Sequence, residues 1–244
     1  MYTAVNPQIG YPIPQFGGNV VDTTPRLPPG FIQAFTDPWW GFGEFMYARA
    51  AGVIPTFALC ITTPVFDSTL NSYRYDCIVA PNTANLARSV MVATKTMASG
   101  DYGWFQISGL TPLSCSASVA ADTSFGITAA GQCGAVAAGR QILNARTMIA
   151  AAATVAKTNC TSASGSTVIQ VPNSDGWFVG AYLSGTGVGA AAIISAISPD
   201  GRTVTATVAS TAAISGTVTA TYNNATIYYN VVHLNRSFAQ GAIT

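Results

Sequence analysis

Apolar and polar side chains alternate through most of this chain, and two stretches set the pattern. Residues 41–53, GFGEFMYARAAGV, and 100–110, GDYGWFQISGL, each open on glycine and an aromatic residue and then alternate large with small or polar side chains. That period of two marks a strand with one buried face. The two read as paired edges of one β framework. Further strand-like pieces fall at 54–62, 73–80, 89–96 and 102–108, separated by Pro64, Asp67, Pro81-Asn82 and Ser99-Gly100-Asp101. Such spacing predicts an antiparallel β-sandwich or barrel.

The ends of this framework differ from its middle. Residues 1–38 hold seven of the thirteen prolines, interleaved with Tyr11, Ile13, Phe16, Phe31 and Phe35. Proline fixes φ and removes a donor, which predicts an extended arm rather than a helix or central strand. Disordered leaders are poor in aromatics, so the regularly placed Tyr11, Phe16, Phe31 and Phe35 point to an arm lying in a groove on a neighbour. Trp39 and Trp40 follow, large side chains that serve equally as interface anchors or as the covered end of a core. Alanine dominates 129–157; Gly131, Gly134 and Gly139 interrupt it and Thr, Val and Ile recur, which favours small-residue strands over a helix. From 159 to 222 the composition shifts to Ser, Thr, Gly, Val and Ile, with strand patterns at 167–171, 180–188, 192–197, 202–209 and 215–222 and a hairpin turn at Pro199-Asp200-Gly201. These form a second, small β module. One more strand, 227–234, and a short polar tail end the chain.

Only 8% of the residues are charged, against roughly 25% in ordinary soluble domains. So few charges predict that much of the nominal surface is covered in an assembly. The net charge of +1 comes from eight arginines and two lysines scattered without runs, so no basic patch for nucleic acid is expected. No uninterrupted apolar run is long enough to span a membrane, although the mean hydropathy is +0.36. No basic residue precedes Arg26 and no apolar block follows, which reads as a product that stays in the cell that makes it. The five cysteines, Cys60, Cys77, Cys115, Cys133 and Cys160, have no zinc or redox spacing. They are expected as buried free thiols, with one opportunistic disulfide left open.

No catalytic, cofactor-binding or metal constellation emerges. The single histidine, His233, sits between Val232 and Leu234 in an alternating strand, as packed or interface histidines do. Glu44, the one glutamate, lies on the strand face opposite Phe45 and Tyr47. Nothing in the spacing of Asp67, Asp76, Asp101 and Asp122 asks for a carboxylate pair. The glycine-rich run 184–187 lies between strand patterns and has no helix N-terminus to offer a phosphate.

Three ordered motifs nevertheless carry a resemblance: GEFMYARAAGV around Glu44, GDYGWFQISG at 100–109 and VVHLNRSF at 231–238. Together they resemble a group of tailed-bacteriophage virion proteins of the capsid decoration (cement) type, which carry a GEF-Y strand, a YGW-Q-SG strand and a terminal LNRPF. Here Ser237 stands in place of that proline. Residues 159–222 are similar to a β module of phage fibre and head proteins. The resemblance implies an all-β protein with an arm (1–38), a framework domain (39–158 completed by 226–244) and an inserted module (159–225). It implies a structural virion protein rather than an enzyme, assembled in the host cytoplasm and seated on the capsid surface. Its partners would be the major capsid protein and itself, as a homo-oligomer, with a trimer favoured, and neither nucleic acid nor membrane. Tyr11, Phe16, Phe31, Phe35, Trp39 and Trp40 are the expected interface residues. A fibre or receptor-binding role is the alternative, favoured if Trp177, Phe178 or Tyr182 are exposed on the module.

Overall fold

The computed structural model describes residues 3–4, 21–37, 39–68, 71–223 and 227–242, and among them every regular element is a strand. In chain order these are β1 (Thr3–Ala4), β2 (Ile32–Asp37), β3 (Gly41–Ala50), β4 (Leu59–Asp67), β5 (Ser72–Val79), β6 (Val90–Ala93), β7 (Tyr102–Cys115), β8 (Gly126–Ala129) and β9 (Gln132–Gly134). There follow β10 (Ile142–Ile149), β11 (Thr154–Ser162), β12 (Val168–Gln170), β13 (Tyr182–Ser184), β14 (Ile194–Ile197), β15 (Thr203–Ala206), β16 (Ile214–Thr221) and β17 (Tyr228–Ala239). The all-β expectation holds, and the alanine-rich tract is strand on both sides of Ala151.

Five strands of the first sheet close on themselves. β3 pairs with β5, β5 with β4, β4 with β6, β6 with β7, and β7 back with β3. Alternation then sends every second residue into the ring. Met46, Ala48 and Ala50 of β3, Cys60, Cys77, Met91 and Ala93, and Phe105 and Ile107 of β7 form one buried cluster, capped by Ile54 and Met97. A ring of five strands has room for little inside, and alanine, cysteine and pliable methionine fill it without strain. The intervening residues, Phe45, Tyr47, Leu59, Ile61, Val92 and Trp104, face outward into a second, larger core. The stretches expected to be paired edges do pair, as β3 and β7, but they lie in the interior of the framework.

β7 is long enough to belong to two structures. Its first half closes the barrel, and its second half pairs with β17, which in turn pairs with β10. Between β10 and β17 the chain builds the second sheet, whose strands follow the order β13-β16-β11-β12-β15-β14. Backbone bonds from Leu183 N to Ala192 O and from Ile194 N to Ala181 O join β14 to β13 and close this ring as well. Ile169, Leu183, Ile194, Val204, Ile214 and Val218 fill it. The second sheet starts at Thr154, a few residues before the compositional shift, because β11 must pair along the full length of β16. Phe57, Phe178, Tyr222 and Tyr229 join the two rings, with Phe178 centred 5.5 Å from Phe57, 4.9 Å from Tyr222 and 5.2 Å from Tyr229. Edge-to-face and tilted contacts of this kind add to the burial of the rings themselves.

The expected arm is shorter than 38 residues in what is described. From Val21 onward the chain belongs to the framework: Asp22 bridges Tyr102, and β2, free of proline, pairs with β3 from Ile32 to Asp37. The Tyr47 hydroxyl donates to Asp22 Oδ2 at 2.7 Å, and Arg26 Nε sits 2.7 Å from the other carboxylate oxygen. Burial pushes the Tyr47 phenol well above its ordinary range, so this bond is held at all physiological pH.

Cys115 and Cys133 are joined by a disulfide that ties the end of β7 to β9, while Cys60, Cys77 and Cys160 are buried free thiols. Burial pushes the Cys77 thiol up to about 12 and the Cys60 thiol well above its usual value. The thiolate is the reactive form. The native protein is therefore expected to leave a thiol-exchange reagent unconsumed at about pH 8, whereas denaturation should release three reactive thiols. Rapid labelling of the folded chain would show that the barrel, or at Cys160 the second sheet, opens or is not closed.

Candidate interaction surface

The residues that carry the motifs converge on one crossing. Opposite Glu44 in β3 stands Ser108 of β7, and opposite Ser108 on the other side stands Asn235 of β17. Between Glu44 and Phe45 the register slips, so that Phe45 faces Gln106 and Ile107 is an extra residue, a β-bulge. A bulge leaves carbonyls without ladder partners. The buried Gln106 amide supplies them, donating to Ser108 O at 3.0 Å and to Leu110 O at 2.9 Å. Gly109 follows at φ +95°, where a Cβ would lie 2.3 Å from Phe42 O. Glycine is required there by conformation and by space together.

Arg236, 192 residues from Glu44 in sequence, lays its guanidinium on that carboxylate with bonds of 3.0 and 2.9 Å. The pair joins the first framework strand to the last. The Arg236 bond holds the Glu44 carboxyl below its usual pKa. Ser237 donates to Asn144 O at 2.8 Å and is buried, a bond that a proline side chain could not make. His233, by contrast, is exposed, directly opposite Arg146 of β10.

The expected interface residues divide. Tyr11 and Phe16 lie outside the described residues. Phe31, Phe35 and Trp40 pack within this chain: Phe35 centres 5.4 Å from both Phe45 and Trp104, and Trp40 is only 4% exposed. Their apolar surface is used in the framework core because β2 pairs along the edge of β3 and sets Phe35 on the face that carries Phe45. The Asp37 carboxylate turns the chain between those strands, accepting the Trp39 and Trp40 N–H groups at 2.8 Å. Trp39 remains 45% exposed. It rests on the module at Gly176, where a Cβ would meet the indole at 2.7 Å, with Lys157 Nζ 5.5 Å from the ring centroid. On the module, Trp177 and Phe178 are buried and Tyr182 is partly covered. They offer no aromatic platform.

Exposed aromatics occur elsewhere, on the hairpin of β4 and β5. β6 holds β4 only as far as Ile61, and β3 holds β5 only at Asp76 and Cys77. Residues 63–67 and 72–75 therefore project past the barrel as two strands. One face carries Pro64, Phe66, Tyr73 and Tyr75, with the Phe66 and Tyr73 rings 5.5 Å apart and 53% and 68% exposed. The other carries Arg74 between Asp67 and Asp76, with Arg49 beside Asp76. The aromatic face continues into a groove of about 180 Å³ at the barrel mouth, lined by Ile32, Met46, Thr62, Tyr75, Met91 and Ile107. Alternation of aromatics with charges on both sides of residue 70 is the sequence signal for this hairpin; the Glu44–Arg236 pair has no local signal at all.

Among the described residues, no three histidine, cysteine or acidic side chains are grouped to hold a metal ion. No protein family, curated protein or solved structure matches this chain.

Two consequences can be measured at the crossing. Gly109→Ala should cost about 2–4 kcal/mol in denaturant unfolding, since it combines a left-handed backbone with a clash, whereas Gly41→Ala, at φ +71° with open space around it, should cost about 1 kcal/mol. Equal costs would remove the close approach as the reason for Gly109. Glu44 has a lowered pKa in the folded chain, so its pairing stabilises above the ordinary carboxyl range and is lost as pH falls through the folded value. Arg236→Gln should therefore lower stability at neutral pH and make no difference in acid.

Proposed function

We propose that this chain is a structural protein of a bacteriophage particle, a decoration or cement protein that binds the outer surface of the head and stabilises neighbouring capsid subunits. The observation that carries the reading is the convergence of the three resembling motifs. Glu44, the Gln106–Gly109 bulge and Arg236 lie far apart in sequence and interlock at one crossing. Chance similarity in short motifs gives no reason for them to meet.

Other features fit the same role. Two closed rings leave few strand edges open and suit a particle exposed to the environment. The sparse charge suits a surface largely covered by neighbours. Exposed apolar side chains such as Phe42, Phe66 and Tyr73 offer contacts to an assembly. The protein acts by holding rather than by catalysis, and its partners are the major capsid protein and further copies of itself. The buried Trp177 and Phe178 count against the alternative fibre reading, which would need them at the module's surface.

Capsids lacking the protein, mixed with the purified chain, test this proposal. The chain should saturate at a copy number set by the shell's symmetry and raise the temperature at which the shell ruptures. A variant lacking residues 1–20, which removes β1 from the edge of β2 but keeps the framework from Val21, should lose apparent affinity about 100-fold. Failure to bind capsids overturns the reading; binding to host cells instead would establish the fibre role.

A further inference from the structure

We propose that the outer edge of β5 is a self-association site at which a second copy of this chain pairs, strand to strand, about a two-fold axis near Tyr73. The argument starts from Pro64. In an antiparallel ladder, residues alternate between pairs that exchange hydrogen bonds and pairs that do not. Pro64 stands opposite Tyr75 and has no N–H to exchange, so that pair is of the second kind, and by alternation so is Phe66 with Tyr73. The N–H and C=O groups of Tyr73 and Tyr75 therefore point away from β4. Two residues on, Cys77 shows the same phase: its carbonyl turns outward and accepts Ala51 N at 2.8 Å. β3 takes that position, and its parallel pairing of Arg49 with Asp76 also engages the Tyr75 carbonyl, but among the described residues no strand pairs with Tyr73 or with the Tyr75 N–H.

An open edge with two outward donors and one outward acceptor is satisfied by an extended strand. The hairpin's charges exclude an occupant chosen by charge, since Arg74 is neutralised between Asp67 and Asp76. What remains is an aromatic, uncharged face. A second copy fits it. An antiparallel register centred on Tyr73 sets Tyr73 against Tyr73 and Arg74 against Ser72 of the other copy, so no like charges face each other. It also brings both Phe66–Tyr73 pairs onto one side of a continuous sheet, where each covers the other. The opposite edge of the hairpin carries Pro64 and cannot continue the sheet. Pairing therefore stops at two copies instead of growing into a fibre.

Sedimentation and amide exchange of the full chain test this directly, without capsids and independently of the virion reading. The wild-type protein should dimerise, with the Tyr73 and Tyr75 amides protected in the dimer and exchanging freely on dilution, while the Arg74 amide is protected in both states. Tyr73→Lys should weaken dimerisation at least tenfold, and Tyr73→Phe should leave it unchanged. Circular dichroism melts of the dilute proteins verify that both variants fold. A wild-type chain that stays monomeric up to about 100 μM overturns the proposal. So does a dimer in which the Tyr73 and Tyr75 amides stay unprotected, or one that Tyr73→Lys leaves intact.

Discussion

The pairing of β3 with β7 is the contact on which the rest of the fold depends. It closes the five-stranded barrel on one side of β7, and the same strand then leaves the barrel to pair with β17 and β10. A regular strand cannot follow both paths, because a barrel wall and a departing sheet need different twist. The extra residue at Ile107 supplies the bend, and the Gln106 amide satisfies the carbonyls that the bend strands. Gly109 then lets β3 and β7 approach more closely than any side chain would allow. The Glu44–Arg236 pair lies across this junction. With the Arg236 side chain largely exposed, the pair adds only modestly to stability.

Two closed rings and one aromatic junction follow from that branch. The framework barrel is filled by small and pliable side chains, whereas the core outside it is rich in aromatics, with Phe31, Phe35 and Tyr47 each packed against Trp104. The module is closed in the same way and meets the framework through Phe57, Phe178, Tyr222 and Tyr229. Closure explains how a chain with so few charges presents few open edges. It leaves the tip of the β4–β5 hairpin as a place where two strands outrun the barrel that holds them.

For function, the consequence is a division of labour between motif and surface. The motif residues on which the proposed role rests are occupied with building the crossing, so they mark a scaffold rather than a contact site. Contacts with other molecules fall to side chains outside those motifs, of which Phe66 and Tyr73 are the most exposed aromatic pair. Aromatic residues that look like anchors in the sequence, Phe35 and Trp40 above all, are inside.

Alternation along the chain was enough to determine the all-β class, most strand positions, the hairpin at Pro199-Asp200-Gly201 and the presence of a second module. These are local properties, set by side-chain period and by turn residues that act over a few positions. Whether Phe35 faces a neighbour or its own core depends on what lies across the sheet, and only the tertiary structure decided it. The same holds for the Cys115–Cys133 bridge, for Arg236 on Glu44, and for the closing of both rings, since each joins residues that no local pattern relates. The start of the second sheet at Thr154 was hidden for a related reason: alanine and threonine suit either sheet, and the partner strand β16 sets where β11 begins. Period and propensity act along the chain, but burial and pairing are settled across it.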